Sequence, residues 1–212
     1  VYRIRELETG IIRAAKIYFP HRDPDRRLSV RHAQKLDKLR QCSIVLQYHH
    51  SVDFVVDRQH TVALISELCD GMPLWAWVQE HPGKRLSPFV AMTVLYHLAV
   101  GLEDIHAMGE YHWDVHSENI LILPHGIGFD LKLIDFYEWG KPTRSKMQQD
   151  IIDVVNVFHE ILGGRRHYAS LPLEAKQICL GQQGSKIVER YPTMTALRRH
   201  LEVFESVTRG WQ

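Results

Sequence analysis

Tyr111-His112-Trp113-Asp114-Val115-His116-Ser117-Glu118-Asn119-Ile120-Leu121-Ile122-Leu123 is the stretch on which the reading of this chain turns. It sets a carboxylate, Asp114, and a carboxamide, Asn119, five positions apart, just ahead of an apolar strand-like run. A second apolar run, Leu131-Lys132-Leu133-Ile134, ends on another carboxylate, Asp135. Strand, turn and strand predict a hairpin that aims Asp114, Asn119 and Asp135 into one cleft. Phosphoryl transfer needs such a set. One carboxylate orients a hydroxyl, and a carboxamide with a second carboxylate holds Mg²⁺ on the phosphates.

The pattern His112-x-Asp114-x-x-x-x-Asn119, followed by Asp135-Phe136, resembles the catalytic loop and metal-binding motif of the eukaryotic-like (Hanks-type) protein kinases. The resemblance implies an α+β fold of two lobes, a small β-rich N-lobe over 1–69 and a mainly helical C-lobe over 70–212. It implies ATP and Mg²⁺ as cofactors. Asp114 would orient the acceptor hydroxyl, and Asn119 and Asp135 would hold the metal. His112 would tie the loop to the metal-binding segment, and Leu121 would form the floor under the adenine. Trp113 stands where the family has an arginine that receives a phosphate from the activation segment, so that switch is not expected. His116 stands where protein kinases have lysine, as in the related aminoglycoside and choline phosphotransferases. It would hydrogen-bond the γ-phosphate and, protonated, offset its charge. Tyr137 replaces the glycine of the metal-binding motif; a bulky residue resists positive φ, which predicts a segment held in one conformation.

Upstream, Val1 to Arg5 and Ile11 to Phe19 read as strands around the turn Glu8-Thr9-Gly10. The run ending Ala14-Ala15-Lys16 resembles a kinase strand whose lysine contacts the phosphates. Val1 and Ala14 would line the adenine. The glycine-rich loop of the family should lie before Val1 and is not in the sequence. Ser29 is a plausible N-cap for a helix with Val30, Ala33, Leu36 and Leu39 on one face. The family's helix glutamate has no counterpart; its place falls on His32, Gln34 or Asp37, and Asp37 would pair with Lys16 if the helix sits close. Ser51–Asp57 and Thr61–Glu67 predict a hairpin that runs into Glu67-Leu68-Cys69-Asp70-Gly71. By register Ser66 is the gatekeeper, and the backbones of Glu67 and Cys69 would bind the adenine edge. Ile134, just before Asp135, completes the implied nucleotide site.

A short helix over Pro73–Glu80 carries Trp75 and Trp77, both expected in packing. Ser87 as N-cap and Pro88 at N1 open a long helix with Val90, Val94, Leu95, Leu98, Leu102 and Ile105 in one stripe, and Gly109 ends it. Asp150 to Gly164 resembles the buried helix D-x-x-S-x-G-x-x-x-x-E-L-x-x-G of kinases, with Asp150 expected to cap it and brace the catalytic loop. Only 14 residues separate Asp135 from Asp150, and no A-P-E triplet follows. The surface that docks peptides is therefore expected to be short. Leu171-Pro172-Leu173-Glu174 and Arg190-Tyr191-Pro192-Thr193 resemble the end of bacterial Hanks-type kinases, and a helix over Thr195–Val207 closes the chain. With no A-P-E glutamate, Arg190 needs another partner or lies at the surface.

The 212 residues are 45% hydrophobic, enough for one sizeable core or two lobes sharing a cleft. The 26 basic and 25 acidic residues nearly cancel, which gives no sign of a nucleic-acid surface. Fourteen histidines would make the chain strongly cationic in acid. Cys42, Cys69 and Cys179, odd in number and without C-x-x-C spacing, suit free thiols in a reducing compartment. No apolar run approaches the ~18 residues of a membrane span, so none is expected. These readings predict a cytoplasmic protein, or one delivered into a host cytosol as a small effector kinase. The leading function is transfer of the ATP γ-phosphate to a Ser/Thr hydroxyl of a protein substrate, with an activating or recruiting partner protein. The rivals are a catalytically inactive scaffold and a small-molecule phosphotransferase.

Overall fold

The computed structural model describes residues 1–56, 58–126, 128–136 and 140–209. The architecture is α+β: a β-rich N-terminal region followed by a mainly helical C-terminal region. The first sheet has strand order β1-β2-β4-β3, all antiparallel neighbours, with β1 Tyr2–Arg5, β2 Ile12–Tyr18, β3 Tyr48–Val56 and β4 Gln59–Glu67. Alternation decides its two faces. Ala15, Ala63 and Ile65 form a small buried cluster on one side, with Ile4, Ile17 and Phe54 against it. Ala14 and Lys16 point to the other side, beside their cross-strand partners Ser66 and Leu64.

The helix α1, Arg27–Lys38, departs from its predicted face and cap. Val30 is exposed, and the buried positions are Ser29, His32, Lys35 and Leu36. Ser29 lies inside the helix. The first free N–H groups, of Leu28 and Ser29, are taken by the Asp23 carboxylate, each at 2.9 Å. Burial pushes the Asp23 carboxyl up, but those hydrogen bonds outweigh it and hold it below its ordinary value.

After β4 come β5 Met72–Pro73 and the helix α2 Leu74–Gln79. Trp77 packs on His81 and Phe129, whereas Trp75 is 44% exposed and is not the packing residue expected. The helix α3, Pro88–Ala107, has Ser87 as its N-cap, accepting from Val90 N–H, and Gly109 in the left-handed region after its end. Val94, Leu95, Leu98, Leu102 and Ile105 are fully buried. Each such side chain stabilises the fold by about 1.5–3 kcal/mol. By length and composition α3 reaches the threshold of a membrane-crossing helix, which the run-based reading did not anticipate. It is the centre of the large core, and its apolarity is that of an interior helix.

The hairpin β6 Ile120–His125 and β7 Gly128–Leu133 pairs as predicted, with β5 added to β6. Ile44 and Val45 cross to it: Leu133 N–H donates to Ile44 O at 2.7 Å, and Val45 bridges Leu133. Ile44 also presses on α3 at Gly101, where a Cβ would lie 2.5 Å from it.

The helix α4, Arg144–Ile161, begins six residues before Asp150, capped by Thr143. Asp150 is thus buried in the second turn of α4 and is not its cap. The chain closes with α5 Leu173–Cys179, α6 Gly184–Arg190 and α7 Met194–Arg209, and Arg190 is exposed. All three cysteines are free thiols.

Candidate functional site

The β6–β7 hairpin brings the loop and the segment around Asp135 together. Ile134 N–H donates to Asn119 O at 3.0 Å, so Asp135 follows directly from the residue bonded to Asn119. From the first sheet, Lys16 reaches across 119 positions and places its Nζ 2.7 Å from Asp135 Oδ1. Asp135 has φ 59°, uncommon for a non-glycine residue. Burial alone would push its carboxyl up; the Lys16 ammonium offsets that and holds it below the ordinary carboxylate range.

In the loop, Asn119 Nδ2 donates to Asp114 O at 3.0 Å and to Asp114 Oδ2 at 3.1 Å. Both partners are acceptors, which fixes the amide orientation. Asn119 Oδ1 is left without a hydrogen bond among the described residues. His116 Nδ1 accepts from Glu118 N–H at 3.3 Å, and its Nε2 lies 3.5 Å from Asp114 Oδ2. His112 is fully buried. Its Nδ1 accepts from Asp114 N–H at 3.3 Å, and its Nε2 donates to Ile134 O at 3.0 Å. Burial pushes its imidazole down to about 4, so it is the neutral tautomer that joins the loop to β7.

Asp150 holds the loop from below. It is 0% exposed and accepts from His112 N–H at 2.9 Å, Trp113 N–H at 2.7 Å and His106 Nε2 at 2.9 Å. Trp113, with φ 74°, turns the chain so that both amides face this carboxylate.

The α1 helix presents no acid to Lys16. Asp37 is exposed and pairs with Arg40 at 3.3 Å, so the expected Asp37–Lys16 pair does not form. His32 is the one of the three candidates that turns inward; Gln34 is exposed. Burial, and then the nearby Lys16 ammonium, push the His32 imidazole down to about 3. Its Nδ1 accepts from the Tyr18 hydroxyl. Burial and the Asp135 and Asp23 carboxylates push Tyr18 up, so it stays a donor. One turn on, Lys35 is buried with its Nζ 4.2 Å from the centre of the Tyr111 ring and 3.9 Å from Glu110 Oε2. Sequence reasoning missed Tyr18, Lys35 and Glu110. The i, i+3 spacing of His32 and Lys35 is the signal that marked this polar inner face.

The remaining expected nucleotide contacts are placed as follows. Ala14 and Ser66 are register partners on the face that carries Lys16. Val1 precedes β1 and is 79% exposed. Leu121 is half-buried on β6 opposite Pro73, and Ile134 is half-buried beside Asp135. Glu67 N–H is taken by Gln47 O at 2.9 Å, and its carboxylate pairs with Lys132 at 2.8 Å. Cys69 has no backbone–backbone bond among the described residues. The expectation for Tyr137 lies outside the described residues.

Among the described residues no group of three or more His, Cys, Asp or Glu side chains forms a metal cage. Asn119 Oδ1 and the Asp135 carboxylate offer only oxygen donors. That suits Mg²⁺, which is commonly bound by one or two side chains together with phosphates.

Residues 1–168 match the family model described as a protein kinase domain. The chain is similar to myosin-IIIb of Mus musculus, 27% identical over 155 residues, which covers 71% of this chain and 11% of that protein. It is also similar to CBL-interacting protein kinase 22 of Oryza sativa subsp. japonica, 27% identical over 148 residues, 64% of this chain and 32% of that protein. The chain thus matches about a third or less of the length of these relatives. With the family model matching well over half of its residues, the chain belongs to the protein kinase domain family.

Proposed function

We propose that this chain transfers the γ-phosphate of ATP to a Ser or Thr hydroxyl of a protein substrate with the help of Mg²⁺. The observation that carries this reading is the Lys16–Asp135 ion pair, 2.7 Å long, which joins β2 of the first sheet to the segment that follows β7. Asp135 and Asn119 Oδ1 would hold the metal, and Lys16 would hold phosphate oxygens. Mg²⁺, when bound, neutralises charge on the transferring phosphoryl group. Asp114, fixed through Oδ2 by Asn119, orients the acceptor hydroxyl and accepts its proton. His116 lies beside Asp114 and offers Nε2–H toward the same cleft. Catalysis is then positioning and charge stabilisation by groups the loop already holds in place.

Ser66 and Ala14 leave small side chains where the adenine is accommodated, with the backbone of Cys69 at its edge. The short span from Asp135 to Asp150 supports a partner protein that recruits the substrate or activates the chain. The free thiols support a reducing, cytosolic setting. A scaffold reading is favoured by one observation: His32, and not an acid, faces Lys16 from α1. Incubation with [γ-³²P]ATP, Mg²⁺ and a panel of Ser/Thr peptides and proteins separates the two. Transfer that falls at least about 100-fold in Asp114→Asn and Asp135→Asn supports catalysis. Equal labelling by wild type and both variants overturns it.

A further inference from the structure

The helix α1 carries three cations along one face. Arg31, Lys35 and Lys38 stand at i, i+4 and i+7, a spacing at which like charges repel. Together with Lys141 they line an open cavity of about 370 Å³, whose other walls include Glu110 and Gly140. The cavity sets four cationic side chains against one acid, in a chain whose 26 basic and 25 acidic residues nearly cancel. Lys16, Asp114, Asn119 and Asp135 are not among its lining residues.

Its walls are held by the residues just ahead of the catalytic loop and by α4. The Tyr111 hydroxyl donates to Gly140 O at 2.7 Å, and Lys146 Nζ donates to Lys141 O at 2.9 Å. Lys35 and Lys146 both lie over the Tyr111 ring, 4.2 and 4.6 Å from its centre. Lys35 lines the cavity although its side chain is only 3% exposed. The one acid, Glu110, is already engaged, 2.7 Å from Lys38 and 3.9 Å from Lys35. Among the described residues the side chains of Arg31 and Lys141 pair with no acid. Among the described residues no aromatic side chain lines the cavity, so it gives a nucleotide base no ring to stack on. Arg31, Lys38 and Lys141 are exposed, within reach of a group that projects from a passing chain.

We propose that this cavity binds a phosphoryl dianion carried on a phosphorylated Ser or Thr side chain of a protein segment. Arg31 grips it from α1, where its planar fork matches phosphate oxygens, and Lys141 grips it from the segment that leads into α4. Lys38 adds a third cation, and α1 is thereby tied to that segment. Free phosphate has the same chemistry, and the test separates the two sources. The ¹⁵N-labelled chain is titrated at fixed ionic strength with inorganic phosphate, with a short phosphothreonine peptide, and with the same peptide carrying glutamate at that position. The phosphothreonine peptide shifts the amide signals of Lys38 and Gly140, and it does so equally in Lys16→Met, which excludes binding at Lys16. In the double variant Arg31→Gln with Lys141→Gln its affinity falls at least about 10-fold, the loss of one charge-assisted contact or more. Lys186→Gln, an exposed position on α6, leaves the affinity unchanged. Inorganic phosphate that binds as tightly as the peptide keeps the phosphoryl site and overturns its protein source. No shift with either phosphate probe, the same affinity in the double variant, or equal binding of the glutamate peptide overturns the proposal.

Discussion

Replacing Asp150 by alanine should be among the most damaging single changes in this molecule. The side chain has no solvent exposure and accepts three hydrogen bonds: His112 N–H, Trp113 N–H and His106 Nε2. Alanine leaves these donors without their acceptor, and each orphaned buried donor costs about 1–3 kcal/mol. Trp113 also sits at φ 74°, a conformation that costs about 1–2 kcal/mol and is held in place by that bond. Relaxation of the loop recovers part of the sum, because the donors share one network. The net expectation is a loss of about 4 kcal/mol, a large share of the ~5–15 kcal/mol that holds a domain together. For a chain of this length each kcal/mol moves the melting temperature by about 2–4 °C. Circular dichroism should therefore show Tm lower by about 8–16 °C, with Asp150→Asn roughly half as harmful because one acceptor oxygen survives. A fall of less than about 3 °C in Asp150→Ala would refute the view that this carboxylate carries the loop.

Three further outcomes are expected. Acidification should destabilise the fold through His32 and His112, whose folded values of about 3 and about 4 lie below the unfolded 6.5. The stability they contribute is present above pH 6.5 and is lost as the pH falls toward those values. At pH 5 each has given up about 2 kcal/mol, and His32→Gln should remove about half of the combined fall in urea titrations at pH 8 and pH 5. Asp153 has the opposite sign: its folded value of about 6 lies above the ordinary 3.8, so the fold loses stability as the pH rises through 6. That difference corresponds to about 3 kcal/mol, and Asp153→Asn should therefore be more stable than wild type at pH 8 and equal to it below pH 4. Gly71→Ala should cost about 1–3 kcal/mol by overpacking, since its Cβ would lie 2.7 Å from Ile122 O and 2.9 Å from Leu123; chemical denaturation measures it.

Where local rules govern, the sequence was a sufficient guide. Ser87-Pro88 and the stripe from Val94 to Ile105 predict α3 because capping and periodicity are properties of the helix itself. The β6–β7 hairpin, with Asp114 and Asn119 ahead of it and Asp135 behind, is legible for the same reason. The inner face of α1 was not. Its pattern of Val30, Ala33, Leu36 and Leu39 is apolar, but the helix buries His32 against Tyr18 and Lys35 against Tyr111 and Phe136. Rings supply polar and cationic side chains with partners that a hydrophobicity pattern does not weigh. Its cap was hidden because Asp23 acts from a preceding turn. Asp150 was misplaced as a cap because an aspartate ahead of an apolar run has that signature. Its true partners lie 37, 38 and 44 positions away.

Binding of ATP by isothermal titration calorimetry, with and without Mg²⁺, tests the gathering of Lys16, Asn119 and Asp135 most directly. The wild type should bind ATP at least about 10-fold more tightly with Mg²⁺, a difference of about 1.4 kcal/mol, and Asp135→Asn should lose that gain. ATP affinity that is the same with and without Mg²⁺, or a gain that survives in Asp135→Asn, would contradict it.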